Sequence, residues 1–233
     1  MSAGYDFERA WLDKFDTCLQ DNVGDAIRQQ VMAGSEGLSA ASDRDVVIDW
    51  TQSAMDRLDG LLNATQKRSV LTGCACRYPQ AGLLPIRELF QQTRDIGAAH
   101  SMLQAQFETM LRDTLSLDET LIDQIVELGW GSAGVIESDR IVATKIPKSG
   151  YLVEYLQTSD PEKRRQLYCH CPRIRASLKS PTRISPTYCY CGAGFYQGIW
   201  EEILQQPVRV EVLESVLGGG DVCKIAIHLP PGL

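Results

Sequence analysis

Pro207-Val-Arg-Val-Glu-Val-Leu-Glu214, Gly218-Gly-Gly-Asp221 and Cys223-Lys-Ile-Ala-Ile-His-Leu229 together form the stretch that decides the fold. Val208, Val210 and Val212 alternate with Arg209 and Glu211, the period-two pattern of a half-buried strand. The glycine run supplies a turn, and the segment from Cys223 supplies an antiparallel partner. Upstream, residues 134–139 and 140–146 read as two further strands turning at Ser138-Asp139. Phe195, Ile199, Trp200, Ile203 and Leu204 fall at helical spacing between the two β regions. Residues 151–156 read either as a strand or as the start of a helix.

Residues 5 to about 130 carry a helical period instead. Phe7, Trp11, Phe15 and Cys18 form one apolar stripe, on which Cys18 reads as a small buried hydrophobe. Ser42-x-x-Asp45 opens a second helix with Val47, Trp50, Ala54, Leu58 and Leu61 on its buried face. A long helix is expected from about Ile86 to Thr114, and Ser116-x-x-Glu119 resembles a capping box for a shorter one. The expected fold is α+β: a helical region, 1–130, packed on a C-terminal antiparallel sheet with helices, 131–233.

The chain has 233 residues, 44% of them apolar and 23% charged, with a net charge of −7. That is enough for one large or two small domains with a proper core. Net negative charge repels phosphate backbones, so no nucleic-acid partner is expected. No apolar run reaches the ~20 residues of a membrane span, and no leader-like N-terminus is visible. The expected location is therefore cytoplasmic, with no membrane partner. The sequence has no phosphate-binding loop, dinucleotide fingerprint or nucleophile elbow.

Six of the eight cysteines fall into three Cys-x-Cys pairs: Cys74/Cys76, Cys169/Cys171 and Cys189/Cys191. Chance placement gives about 0.3 such pairs in a chain of this composition. In a reducing compartment the usual causes are metal binding and thiol redox chemistry. On an extended segment residues two apart face the same way, so each pair is expected on a strand or loop with both sulfurs converging on one ion. The pairs at 169/171 and 189/191 have the donor types of a zinc site, although four thiolates serve an iron–sulfur cluster equally. Lys163, Arg164, Arg165, Arg173, Arg175, Lys179 and Arg183, together with the helix start after Cys191, are expected to favour the thiolates. Histidine is scarce. His170, between two candidate ligands, is a candidate proton carrier or supporting donor. Cys74 and Cys76 are candidates for an exchangeable ligand or nucleophile.

Cys189-Tyr-Cys-Gly-Ala-Gly194-Phe195-Tyr-Gln-Gly198, the Val-rich strand and the Gly-Asp turn leading to Cys223 resemble the 4-vinyl-reductase-type domain. The resemblance implies an α+β fold and small-molecule binding, as in phenol-sensing domains. It also implies a structural zinc held by cysteines, two of which match Cys189 and Cys223. A third family cysteine falls on Ser215, so Cys191, Cys169 or Cys171 is expected to replace it. A fainter similarity to aminothiazoline-carboxylate hydrolases favours an enzyme.

Two functions follow as expectations. In the first, a metal–thiolate protein binds a small organic molecule in an apolar pocket, with Cys169, Cys171, Cys189, Cys191 and Cys223 around zinc or, alternatively, an iron–sulfur cluster. In the second, a metal-dependent hydrolase or lyase acts on a small, sulfur-containing substrate through Cys74, Cys76 and His170. The related domains often pair, which leaves a homodimer open.

Overall fold

The computed structural model describes residues 5–232. The Asp6 carboxylate accepts the Arg9 N–H at 2.9 Å and starts α1 (Phe7–Val23), which buries Trp11, Leu12, Phe15 and Leu19. Helices α2 (Asp25–Met32), α3 (Arg44–Leu61) and α4 (Ala64–Gly73) complete the first helical layer. Asp43, rather than Ser42, caps α3. Asn63 and Gln66 form a reciprocal capping box on α4.

The long helix expected after residue 86 is two helices, α5 (Gln80–Thr93) and α6 (Ile96–Thr109), the second ending in a π-helical turn over Met110–Thr114. Arg94 adopts a left-handed conformation that closes α5, and the Asp95 carboxylate accepts the Ala98 N–H to open α6. An Asp followed by a helical run is a start signal, which the continuous apolar period concealed. Similarly, Asp118, not Ser116, caps α7 (Glu119–Glu127), because Ser116 has φ +55°.

The sheet has four antiparallel strands in the order β1 (Val135–Glu137), β2 (Arg140–Thr144), β4 (Lys224–His228), β3 (Arg209–Glu214). The expected turn at Ser138-Asp139 pairs Glu137 with Arg140. Residues 151–156 resolve as helix: a 3-10 turn leads into α8 (Leu152–Gln157), followed by α9 (Pro161–Tyr168) and α10 (Pro172–Ser177). Helix α11 (Tyr190–Leu204) packs between α4 and α5 and against β3 and β4.

Three apolar cores result, and each takes residues from both sides of residue 130. Trp11, Phe15 and Leu58 pack with Ile174 and Tyr188. Leu83, Ile86, Phe90 and Leu103 pack with Trp200, Ile203 and the sheet residues Ile141, Val210 and Ile227. Phe107, Leu111 and Ile125 pack with Leu152, Tyr168 and Val216. Among the described residues, no helix is long and apolar enough to cross a membrane.

The closest approach in this framework is α11 on α4. A Cβ at Gly194 would overlap the Thr72 backbone, whereas one at Gly60 in α3 meets nothing within 4 Å. Overpacking against backbone cannot be relieved by turning a side chain. Gly194→Ala is therefore expected to destabilise the fold by about 1–3 kcal/mol or more. Gly60→Ala should stabilise it by about 0.5–1 kcal/mol through helix propensity. Urea titration of both variants checks the contrast.

Candidate functional site

The three Cys-x-Cys pairs do not lie on strands. Cys169 ends α9 and Cys171 precedes α10, with φ/ψ of −72/130° and −72/122°. These extended values place the pair in the loop between the two helices. Cys189 is helical at φ −66°, ψ −14°, and Cys191 lies in the first turn of α11. Helical residues two apart point to nearly opposite sides. Cys74 ends α4 in a helical conformation and is buried, its Sγ 3.1 Å from the Val70 carbonyl, whereas Cys76 is exposed. The helical backbone at 189/191 turns that pair of sulfurs apart, whereas Cys169 and Cys171 remain electrostatic neighbours at the α9–α10 junction.

The second members reassemble. Cys76, Cys171 and Cys191 line one cavity of about 340 Å³, together with Lys145, His170 and the rings of Phe7, Tyr78, Phe195 and Tyr196. A larger groove of about 740 Å³ is lined by Arg165, Lys179 and Arg183 among other polar groups, and it contains no cysteine. The first members do not line this cavity. Cys169 and Cys189 lie beside Cys223 and interact with it electrostatically, and the Ser215 hydroxyl hydrogen-bonds Cys189. Cys74 lies beside Cys18. Among the described residues, no three His, Cys, Asp or Glu side chains are grouped closely enough to hold a single metal ion.

Each cavity-facing sulfur on the helical side has a partner. The Trp11 indole N–H donates to Cys191 Sγ at 3.4 Å, and Tyr188 Oη lies 3.3 Å from Cys171 Sγ. Arg173 Nη1 donates to the same Tyr188 oxygen at 3.4 Å, which leaves the phenolic proton free to point at the sulfur. Arg173 stacks 4.1 Å above the Trp11 ring, and Trp11 stacks on Tyr188 at 5.5 Å. The guanidinium is itself fully buried and ion-paired with the buried Glu8, whose other oxygen accepts from Arg44 at 2.6 Å.

Opposite them, strand β2 runs out into Lys145. Its N–H donates to the Cys223 carbonyl at 2.9 Å. The Tyr168 hydroxyl donates to the Lys145 carbonyl and accepts the Cys223 N–H at 3.0 Å. This clamp joins the ends of β2 and β4 below the thiols.

Burial, not the helix start, governs the thiols. It pushes Cys191 up to about 12 against the Trp11 hydrogen bond, and it raises Cys169, Cys189 and Cys223 as well. Of the expected cations, Arg173 lies near Cys171, whereas four others turn elsewhere. Lys163 pairs with Glu154, Arg164 covers Tyr155, Arg175 covers Tyr151, and Arg165 donates to the Val216 carbonyl. Lys145 is the cation that opposes burial at all four of these thiols. Nothing in the β2 pattern distinguished it from an ordinary strand-end lysine. His170 is held down to about 3, first by burial and then by Lys145. It is neutral at pH 7, with Nε2–H donating to the Ile146 carbonyl at 2.9 Å and Nδ1 left as an acceptor.

Comparison with protein families, curated proteins and solved structures finds no match to the chain.

Two predictions follow. Cys18, expected to be an inert core residue, is only half-buried, and the Cys74 thiol hydrogen bond lowers its pKa from 9.0 to about 7. A depressed thiol stabilises the fold above the ordinary value, and that contribution is lost as pH falls through 7. Mass-mapped iodoacetamide labelling at Cys18 should rise with a midpoint near pH 7. In Cys74→Ala the midpoint should move up toward the ordinary value. Separately, Glu8→Gln leaves Arg173 buried without its counter-charge, and should cost about 3–5 kcal/mol in chemical denaturation.

Proposed function

We propose that this chain is a metal–thiolate protein that binds a small organic molecule in the cavity between α1, α11 and the end of β2. The observation that carries this reading is the convergence of Cys76, Cys171 and Cys191, one thiol from each pair, on a cavity otherwise walled largely by aromatic rings. Separately encoded segments rarely bring three thiols to one cavity by composition alone. Aromatic walls with a few polar groups suit a small, largely apolar ligand, and Lys145 and the His170 ring supply a positive charge and a polar nitrogen.

For the metal, the resemblance to the 4-vinyl-reductase-type domain favours zinc near Cys189 and Cys223. Ser215, where that family has a cysteine, hydrogen-bonds Cys189, and Cys169 is the thiol beside both. In this reading Cys169 replaces the missing family ligand. The donors are soft and suited to zinc. As they stand they are not drawn to coordinating distance. The role assigned to the ion is to brace the loop before α11 against the β4 start.

The enzyme alternative draws on the same cavity, since the exposed Cys76 and His170 both line it, whereas Cys74 does not. A pKa near 3 suits His170 to accept a hydrogen bond rather than to deliver a proton at pH 7. The binding reading therefore comes first.

Gly192 provides the test. It lines the cavity, and the nearest atom to an added Cβ is Nζ, the far end of the Lys145 side chain, at 4.0 Å. Gly192→Leu should fill the cavity without disturbing the fold. The fluorescent probe 1-anilinonaphthalene-8-sulfonate is expected to bind the native protein, and to bind this variant about tenfold more weakly, a loss of about 1.4 kcal/mol. Equal binding by a folded Gly192→Leu variant would place the probe elsewhere and remove the support for a ligand cavity.

A further inference from the structure

We propose that Cys76, Cys171 and Cys191 hold a cubane-type 4Fe–4S cluster whose fourth iron is left open to the cavity. The inference deepens the proposed function, since it places an inorganic group within the same cavity and gives its ligand an atom to bind.

At a zinc–sulfur bond of about 2.3 Å, two thiolates on one ion lie about 3.8 Å apart. No trio of thiols among the described residues is gathered so tightly, yet three of them line one cavity of about 340 Å³. A polynuclear cluster is held by thiolates that each bind one iron at a separate corner, not all around a single ion. Divided pairs suit that requirement: each Cys-x-Cys segment contributes one sulfur, so the three ligands approach from three separate chain segments. A single-ion site built from chelating pairs would need both sulfurs of a segment on the same side, and the helical backbone at 189/191 turns that pair apart.

The surroundings have the features of a cluster site. Cys191 receives the Trp11 N–H, and Cys171 has the Tyr188 hydroxyl beside it. Hydrogen bonds to the sulfurs, net charge and solvent exposure are what set a cluster's potential. A 4Fe–4S core in its 2+ state with three thiolates carries one net negative charge, and Lys145 on the cavity wall opposes it. Cys76 is exposed, so one ligand is reachable from solvent for assembly while the other two are enclosed. No fourth cysteine lines the cavity. That leaves one iron for a ligand atom from the organic molecule, the same division of labour that open metal sites use in general.

The test uses the full chain, purified without oxygen and reconstituted with ferrous iron and sulfide, then freed of excess by gel filtration. The expected product is brown, with about four iron and four acid-labile sulfide per chain and an electron paramagnetic resonance signal on reduction. Cys76→Ser, an exposed substitution that should leave circular dichroism unchanged, is expected to lower retained iron and sulfide by about tenfold or more. Cys18→Ser should retain both. Trp11→Phe, which removes the N–H donor at Cys191 and trims the ring beneath Arg173, should keep the cluster and lower its reduction potential. A native protein that retains no labile sulfide overturns the proposal, as does a Cys76→Ser variant that retains as much as the native chain. Zinc at one per chain without iron, combined with normal probe binding and its loss in Gly192→Leu, would overturn the cluster and leave the ligand-cavity reading standing.

Discussion

The buried ion pair of Glu8 and Arg173 is the constraint on which the site depends. Both side chains are essentially removed from solvent, 3% and 0% exposed, and neither charge is tolerable there alone. Joining them fastens the start of α1 to α10 across 165 residues of sequence. Arg44 on the second carboxylate oxygen extends the lock to α3. The guanidinium then does three further things: it stacks on Trp11, donates to Tyr188, and so holds an indole N–H and a phenol O–H against Cys191 and Cys171. The polar side of the cavity is thus an indirect product of one electrostatic requirement.

The opposite side is set by backbone hydrogen bonding. Strand β2 ends at Thr144, and its continuation is tied to Cys223 through the Lys145 N–H and through Tyr168, which serves both chain ends at once. Lys145 is delivered to the thiols by a sheet edge rather than by any local motif. Its charge counters the cost of burying sulfur that the net negative chain as a whole would worsen. A cation held by the sheet and two donors held by the helices thus face one another across the thiols.

Division of the Cys-x-Cys pairs explains why eight cysteines make more than one environment. The second members meet at the cavity, the first members of the two later pairs meet Cys223, and Cys74 meets Cys18. Exposure differs even within a group. Cys76 is open to solvent, Cys74 is enclosed, and Cys18 lies between. Chemistry that depends on thiolate character will therefore differ among cysteines that look equivalent in sequence.

The α+β class was legible in the chain because periodicity reports which face of an element is buried, and Val208 to Val212 and Trp11 to Phe15 do so plainly. The importance of the cysteine pairs was legible from their excess over chance. Helix ends were less so: the α5–α6 break rests on one left-handed arginine and one capping aspartate inside an unbroken apolar rhythm. The site itself was legible only in part. Spacing names Cys76, Cys171 and Cys191 as chemically notable, but whether two sulfurs converge or part is decided by φ and ψ, which depend on the helices that begin and end there. Lys145 and Glu8 carried no local signal, and Trp11 and Arg173 read only as a core ring and a nearby cation, because the roles of these residues and of Tyr188 arise between segments far apart in sequence. The amino-acid order alone determined which elements form and that sulfur matters. Tertiary packing decided which sulfurs meet and what faces them, since burial and long-range charge pairing exist only once distant segments are in contact.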